Sequence, residues 1–290
     1  MNLLLLLEST RPKLFTASIA PVLVGTAVAY ADGTVEWNLA PLVLVCAMLI
    51  QLLSNWVNDL YDYQRGADTH RVGPRRLLAR GLVSYSFLRN AAWCVAIVCF
   101  ALGIPIIVHG GLPILIIGGV CLTAAWAYTG GPFPLAYHGL GDVAAFLLFG
   151  VVAIAGTYYV HTGNVTAEVL VSAVGPGLLV ANILAVNNIR DINSDAKANK
   201  RTLAVGIGLR SARHLYALTM AVAFVVPVVL FMQRGATMLL PLLVVPSAVA
   251  LCKTVYTKQG EALNKALTGT AIVYLCYALL LSAAFVISTL

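Results

Sequence analysis

Nine apolar segments occupy most of the chain, at roughly 14–31, 39–57, 87–108, 112–129, 141–160, 168–189, 213–232, 236–256 and 266–289. Each runs to about 17–24 residues, the length a helix needs to cross a ~30 Å hydrocarbon core. In lipid the backbone must satisfy its own hydrogen bonds, which leaves only helices or a closed barrel. A barrel needs short strands of alternating polarity, and these segments do not alternate. The sequence therefore predicts an all-α polytopic membrane bundle of nine transmembrane helices, with residues 1–290 as a single domain. Composition agrees: 60% of residues are apolar and 10% charged, with a mean hydropathy of +0.91. The Leu3 to Leu7 run is too short for a signal sequence and is interrupted by Glu8 and Arg11, so the first span is expected to remain in the mature protein.

The net charge of +7 invites a nucleic-acid reading, but membrane topology explains it better. With the N-terminus inside, seventeen of the eighteen basic residues fall in inner loops and only Arg234 lies outside. This predicts a cytoplasmic N-terminus and an external C-terminus, in what is expected to be a bacterial cytoplasmic membrane. The six cysteines match no zinc spacing and are expected to be small buried apolar residues. Tyr158 and Tyr159 are expected in an interfacial aromatic belt, and Asp142, beside Gly139-Leu-Gly141, as a helix cap.

Two polar stretches break the apolar pattern, each at the end of a long apolar run. The first extends from Asn55 to Asp68 and the second from Asn187 to Asp195. Asn58 and Asp62 are four apart, as are Asn187, Asp191 and Asp195, so each set shares one helix face. Carboxylates at such depth are costly and functional by default. Asn58, Asp62, Asp68, Asp191 and Asp195 offer hard oxygen ligands of the kind Mg²⁺ takes together with phosphate oxygens; Mn²⁺ fits the same set. Basic residues follow each cluster: Arg71, Arg75 and Arg76 after the first, and Lys197, Lys200 and Arg201 after the second. Two acidic clusters beside basic loops point to a diphosphate held through divalent cations. Gly66 would let the chain leave the helix and turn Asp68 back. Tyr128, at the end of the fourth segment, is either an interfacial Tyr or a catalytic one.

At these residues the chain resembles the UbiA-type intramembrane prenyltransferases. Its first motif is Asn58-x-x-x-Asp62-x-x-x-Gly66-x-Asp68 and its second is Asp191-x-x-x-Asp195. It is most similar to the menaquinone-pathway branch, whose members prenylate 1,4-dihydroxy-2-naphthoate. Four stretches carry the likeness: Arg11 to Gly25, Gly66 to Gly81, Tyr128 to Pro132 with Gly139 to Asp142, and Asn187 to Val205. The resemblance implies helices around a central cavity and Mg²⁺-dependent transfer of an isoprenyl group from its diphosphate to an aromatic acceptor. In this branch the transfer proceeds with decarboxylation and gives demethylmenaquinone. It implies metal binding at Asn58, Asp62, Asp68, Asp191 and Asp195, and diphosphate binding at Arg71, Lys200 and Arg201. Asp62, Asp191 and Tyr128 are the expected catalytic residues, and Arg11, Arg75 and Asn187 the candidates for binding acceptor or diphosphate. Tyr128 or Trp56 would face the allylic cation. The alternatives are another aromatic prenyltransferase of the quinone or tocopherol type and, from a different class, a cation-coupled transporter. The single acidic motif of a CDP-alcohol phosphotransferase is absent.

Overall fold

The computed structural model describes residues 15–66, 76 and 78–290, and among these the secondary structure is helical throughout. The long elements are α1 (Thr16–Ala31), α2 (Ala40–Gln64), α3 (Tyr85–Ala127), α4 (Gly141–Thr162) and α5 (Ala167–Arg190). Two short helices follow, α6 (Ile192–Lys197) and α7 (Leu203–Ile207). The chain ends with α8 (Leu209–Arg234), α9 (Ala236–Thr257) and α10 (Gly260–Ile287). Seven of these are long and apolar enough to cross a membrane, and α1 is a shorter apolar helix. Over the described residues, each apolar segment of the sequence lies within one of them to within two residues.

The 43 residues of α3 would reach about 65 Å at 1.5 Å per residue, twice the hydrocarbon thickness. The helix instead breaks at Gly111, with φ 69° and ψ −154°, a conformation essentially confined to glycine. Ile106 and Ile114, on either side of the break, pack in one cluster with Val160 of α4. The two apolar segments at 87–108 and 112–129 are therefore the two arms of α3.

Two apolar clusters hold the bundle together. The larger joins α1, α4, α5, α8, α9 and α10 around Tyr158, Tyr216, Tyr274, Tyr277 and Phe285. The smaller packs α2 against both arms of α3 through Leu53, Trp56, Leu60, Leu88 and Ala125. Between helices in lipid, close packing replaces the hydrophobic effect as the main attraction. Such packing is tight where α4 crosses α5: a Cβ added to Gly150 would lie 2.4 Å from the Gly177 Cα. Gly150 sits in a π-helical stretch, Phe146–Val152, that widens α4 at this crossing. The outer surface is apolar, with Ile97, Val108, Met232 and Leu243 all exposed, as a lipid-facing surface requires.

The structure corrects three expectations. Tyr158 is 2% exposed and donates a 2.7 Å hydrogen bond to Asp32. It is therefore a core residue tied to a loop carboxylate, not part of a lipid-facing belt. Of the cysteines only Cys99 is buried, and Cys94 is exposed on the apolar surface. The N-cap of α4 is Leu140, and Asp142 lies in the first turn instead, where its side chain meets Asn188 of α5. Arg234 bonds Glu168 at 2.7 and 2.8 Å and also Asp32, linking the end of α1, the start of α5 and the end of α8.

Candidate active site

A cavity of about 440 Å³ is lined by α1 to α7, with Leu267 and Ala271 of α10. One end is polar and the remainder apolar. On α2 its wall runs from Val43 to Asn58 and Asp62, and the stretch from Val43 to Asn58 alone spans roughly 22 Å of helix. Val43, Phe100, Ile107, Ile117, Phe149 and Val160 are among the residues lining the apolar part.

The polar end is assembled from helix ends. Asn58 and Asp62 arrive on the last turns of α2, which terminates at Gly66 with φ 68°. Asn187 and Asp191 end α5, and Asp195 sits on α6, which starts after Asp191. Asn58, Asp62, Tyr128, Asn187, Asp191, Asp195 and Lys200 all line the cavity. Residues far apart in the sequence thus meet at one end of the bundle. Asp68, Arg71, Arg75 and Arg11 lie outside the described residues. Arg201 is exposed and is not part of the lining.

Asp62 is 1% exposed. Its Oδ1 accepts a 2.7 Å hydrogen bond from the Tyr137 hydroxyl, and its Oδ2 faces Arg76 at 2.9 Å and Lys200 at 3.3 Å. Arg76 also meets Asp59 at 3.1 Å and donates to the Asn58 carbonyl at 2.8 Å. Burial and the neighbouring Asp62 charge push the Tyr137 phenol above its ordinary range, so it remains a donor. Its ring packs beneath Arg65 at 4.5 Å and Lys200 at 5.3 Å, a cation–π arrangement that steadies both cations.

The second cluster is built differently. Arg190 clasps Asp191 through Nε at 2.8 Å and a terminal nitrogen at 2.6 Å. The same guanidinium bonds Asn187 at 2.7 Å and Asn264 of α10 at 2.9 Å. Such a fork fixes the orientation of the carboxylate.

Arg76, Arg190, Tyr137, Asn55 and Asn188 were not singled out from the sequence. Arg76 stood in the sequence only as one of three basic residues after the first cluster, with nothing to mark it as the partner of Asp62, and Arg190 was legible only as a topology charge. Asn55 lines the cavity, and its buried Nδ2 has no partner among the described residues; its place one turn before Asn58 was the available signal. Tyr128 lines the cavity beside Gly141, in the field of Asp142, Asp62 and Asp195. Trp56 packs in the smaller core cluster and is not among the lining residues.

The model of the UbiA prenyltransferase family matches residues 18–272. The chain belongs to the UbiA prenyltransferase family. Like other UbiA proteins it is a multi-pass membrane protein, and it is a prenyltransferase. It is 32% identical over 283 residues to the 1,4-dihydroxy-2-naphthoate octaprenyltransferase of Mycobacterium leprae, covering 97% of this chain and 96% of that one. The enzyme of the same name from Mycobacterium tuberculosis is 37% identical over 226 residues, covering 78% and 77%. Among solved structures, a UbiA homolog from Archaeoglobus fulgidus bound to DMAPP and Mg²⁺ matches with a TM-score of 0.67 at 16% identity, covering 96% of this chain and 97% of that one. The fold of this UbiA chain is thus that of the solved homologs.

The polar end suits a hard divalent cation. Its donors are carboxylate and amide oxygens from two helix ends, with no sulfur among them. Among the described residues, no three His, Cys, Asp or Glu side chains already converge as a metal nest. Asp62 and Asp191 are instead each braced by a buried arginine.

Proposed function

We propose that this protein transfers an isoprenyl chain from its diphosphate to 1,4-dihydroxy-2-naphthoate, with loss of the carboxyl group, giving the reduced, diol form of demethylmenaquinone. One observation carries the reading: an apolar cavity ends at two braced carboxylate clusters with Lys200 between them. The naphthoate acceptor is supported by the names of relatives at 32% and 37% identity, and the diphosphate donor by the DMAPP and Mg²⁺ of the archaeal homolog.

Asn58, Asp62, Asp191 and Asp195, together with Asp68, would hold Mg²⁺, with Mn²⁺ as a substitute. When bound, the metal supplies Lewis-acid neutralisation of the departing diphosphate. Lys200 and Arg76 bring positive charge to the same end of the cavity, and Arg71 and Arg201 extend it toward the loops. The buried Asn55 amide, without a partner among the described residues, donates to a substrate oxygen. The apolar wall receives the isoprenyl tail and keeps water from the reacting carbon. The Tyr128 ring faces the carbon as it becomes cationic. Arg11 or Arg75, with Asn187, pairs with the acceptor carboxylate. The polar end faces the cytoplasm and nine helices cross the bilayer, α3 contributing two of them.

The test is product analysis by mass spectrometry. Purified protein is given mixed prenyl diphosphates and three acceptors: dihydroxynaphthoate, 4-hydroxybenzoate and homogentisate. Prenylation of the naphthoate, abolished by EDTA and restored by Mg²⁺, is expected. Efficient prenylation of another acceptor with none of the naphthoate would reject the acceptor assignment, and full activity in metal-free protein would reject the metal.

A further inference from the structure

We infer that Asp142 is the base that takes the hydroxyl proton of the acceptor as the ring attacks. The inference rests on the reading of the cavity as an aromatic prenyltransfer site. Asp142 lines the cavity at the same polar end as Asp62 and Asp191, but its surroundings differ. Asp62 faces Arg76 and Lys200, and Asp191 faces Arg190. Among the described residues, no basic group lies within ion-pairing distance of Asp142. Its partners are neutral: Asn188 Nδ2 donates to Oδ2 at 3.1 Å, and the backbone N–H of Asp142 itself bonds the carboxylate. Asn188 is 6% exposed and lies one turn before Asp191 on α5, so it aims the Asp142 carboxylate from the helix that carries the second cluster.

The local chain is built to place this group. Gly139, with φ 75°, turns the loop into α4, and the absence of a side chain at Gly141 lets the Tyr128 hydroxyl approach: a Cβ there would lie 3.2 Å from it. Asp142 follows in the first turn of α4. A carboxylate clasped by arginine is a poor proton acceptor, because the fork occupies its lone pairs and stabilises its charge. A carboxylate held only by neutral N–H donors keeps its remaining lone pairs for the cavity and is not held anionic by a cation. Geometry thus divides the acidic residues by role, with Asp62 and Asp191 for the diphosphate end and Asp142 for the ring.

The step balances. Asp142 accepts the ring O–H proton, and the freed pair on oxygen drives the ring carbon onto C1 of the isoprenyl chain. The new C–C bond forms as the C1–O bond breaks, its electron pair leaving with diphosphate. Loss of carbon dioxide from the same ring carbon returns a pair to the ring. The ring oxygen, now an enolate, takes the proton back from Asp142. No oxidant or further reactant is needed.

The experiment compares wild type, Asp142→Asn and Asn188→Ala across dihydroxynaphthoates bearing fluorine on the distal ring, which acidifies the hydroxyl. Asp142→Asn is expected to lower kcat by about 100-fold or more, the usual worth of a positioned base, with the KM for prenyl diphosphate unchanged. The deficit should shrink steadily as the acceptor hydroxyl becomes more acidic, because an acidic hydroxyl needs less help. Asn188→Ala should show a smaller deficit with the same trend. A deficit in Asp142→Asn that is constant across the series would mean the residue only positions the ring, and would overturn the assignment, as would wild-type turnover. Circular dichroism and prenyl diphosphate binding separate misfolding from loss of the base. If wild type itself prenylates no hydroxyaromatic compound, the underlying reading fails and this inference with it.

Discussion

Lys200 Nζ lies 3.3 Å from Asp62 Oδ2, joining the loop after the second acidic cluster to the helix that carries the first. The contact closes the polar end of the cavity, and Lys200 also rests on the Tyr137 ring at 5.3 Å. Lys200→Met removes one charged donor from this end. A charged hydrogen bond contributes about 1.5–3 kcal/mol, so kcat/KM for prenyl diphosphate should fall roughly 10–100-fold. Arg201→Met, at an exposed position, should lose less. Steady-state kinetics of both variants checks the ranking, and an equal or reversed order would contradict it.

Asp62→Asn and Asp191→Asn should each abolish most turnover. They should also lower stability, Asp191→Asn the more, because Arg190, 4% exposed, would lose its carboxylate partner, whereas Arg76, 5% exposed, keeps Asp59. Breaking such a pair costs about 3–5 kcal/mol. Thermal unfolding in detergent reads the loss, and activity per folded molecule separates the two effects. Wild-type turnover in either variant would remove that carboxylate from the mechanism.

Gly150→Ala should destabilise the bundle without touching the polar end. The new methyl would meet the Gly177 backbone at 2.4 Å, where no side chain can rotate away. Overpacking of this kind costs about 1–3 kcal/mol. The expected result is a lowered unfolding temperature with an unchanged KM for acceptor.

How far the sequence exposed all this depends on the kind of physics involved. The apolar segments were readable because lipid permits only helices or closed barrels, and these segments lack the alternation a barrel needs. The break at Gly111 was readable as a short gap between two segments. Asp62 and Asp191 stood out because carboxylates are costly after long apolar runs. Their partners did not stand out: an arginine in an inner loop serves topology whether or not it also grips a carboxylate, and only the fold distinguishes Arg76 from its neighbours. Tyr158 misled for a related reason. A tyrosine near a helix end suits an interfacial belt as well as a buried hydrogen bond, and Asp32, its partner, is 126 positions away.

The division of basic residues predicts a topology that reporters can read. A fusion after Leu290 should report external, and an insertion near Lys197 cytoplasmic. The opposite pair of signals would invert the assignment and place the polar end outside.

The most direct test of the central claim follows carbon and phosphate together. Purified protein in lipid nanodiscs receives Mg²⁺, an isoprenyl diphosphate and dihydroxynaphthoate labelled with ¹³C at its carboxyl carbon. The account predicts labelled carbon dioxide, diphosphate and prenylated naphthalenediol in equal amounts, with none of the three formed when either substrate is withheld. Prenylated product that retains the labelled carboxyl, or diphosphate release without any prenylated ring, would contradict it.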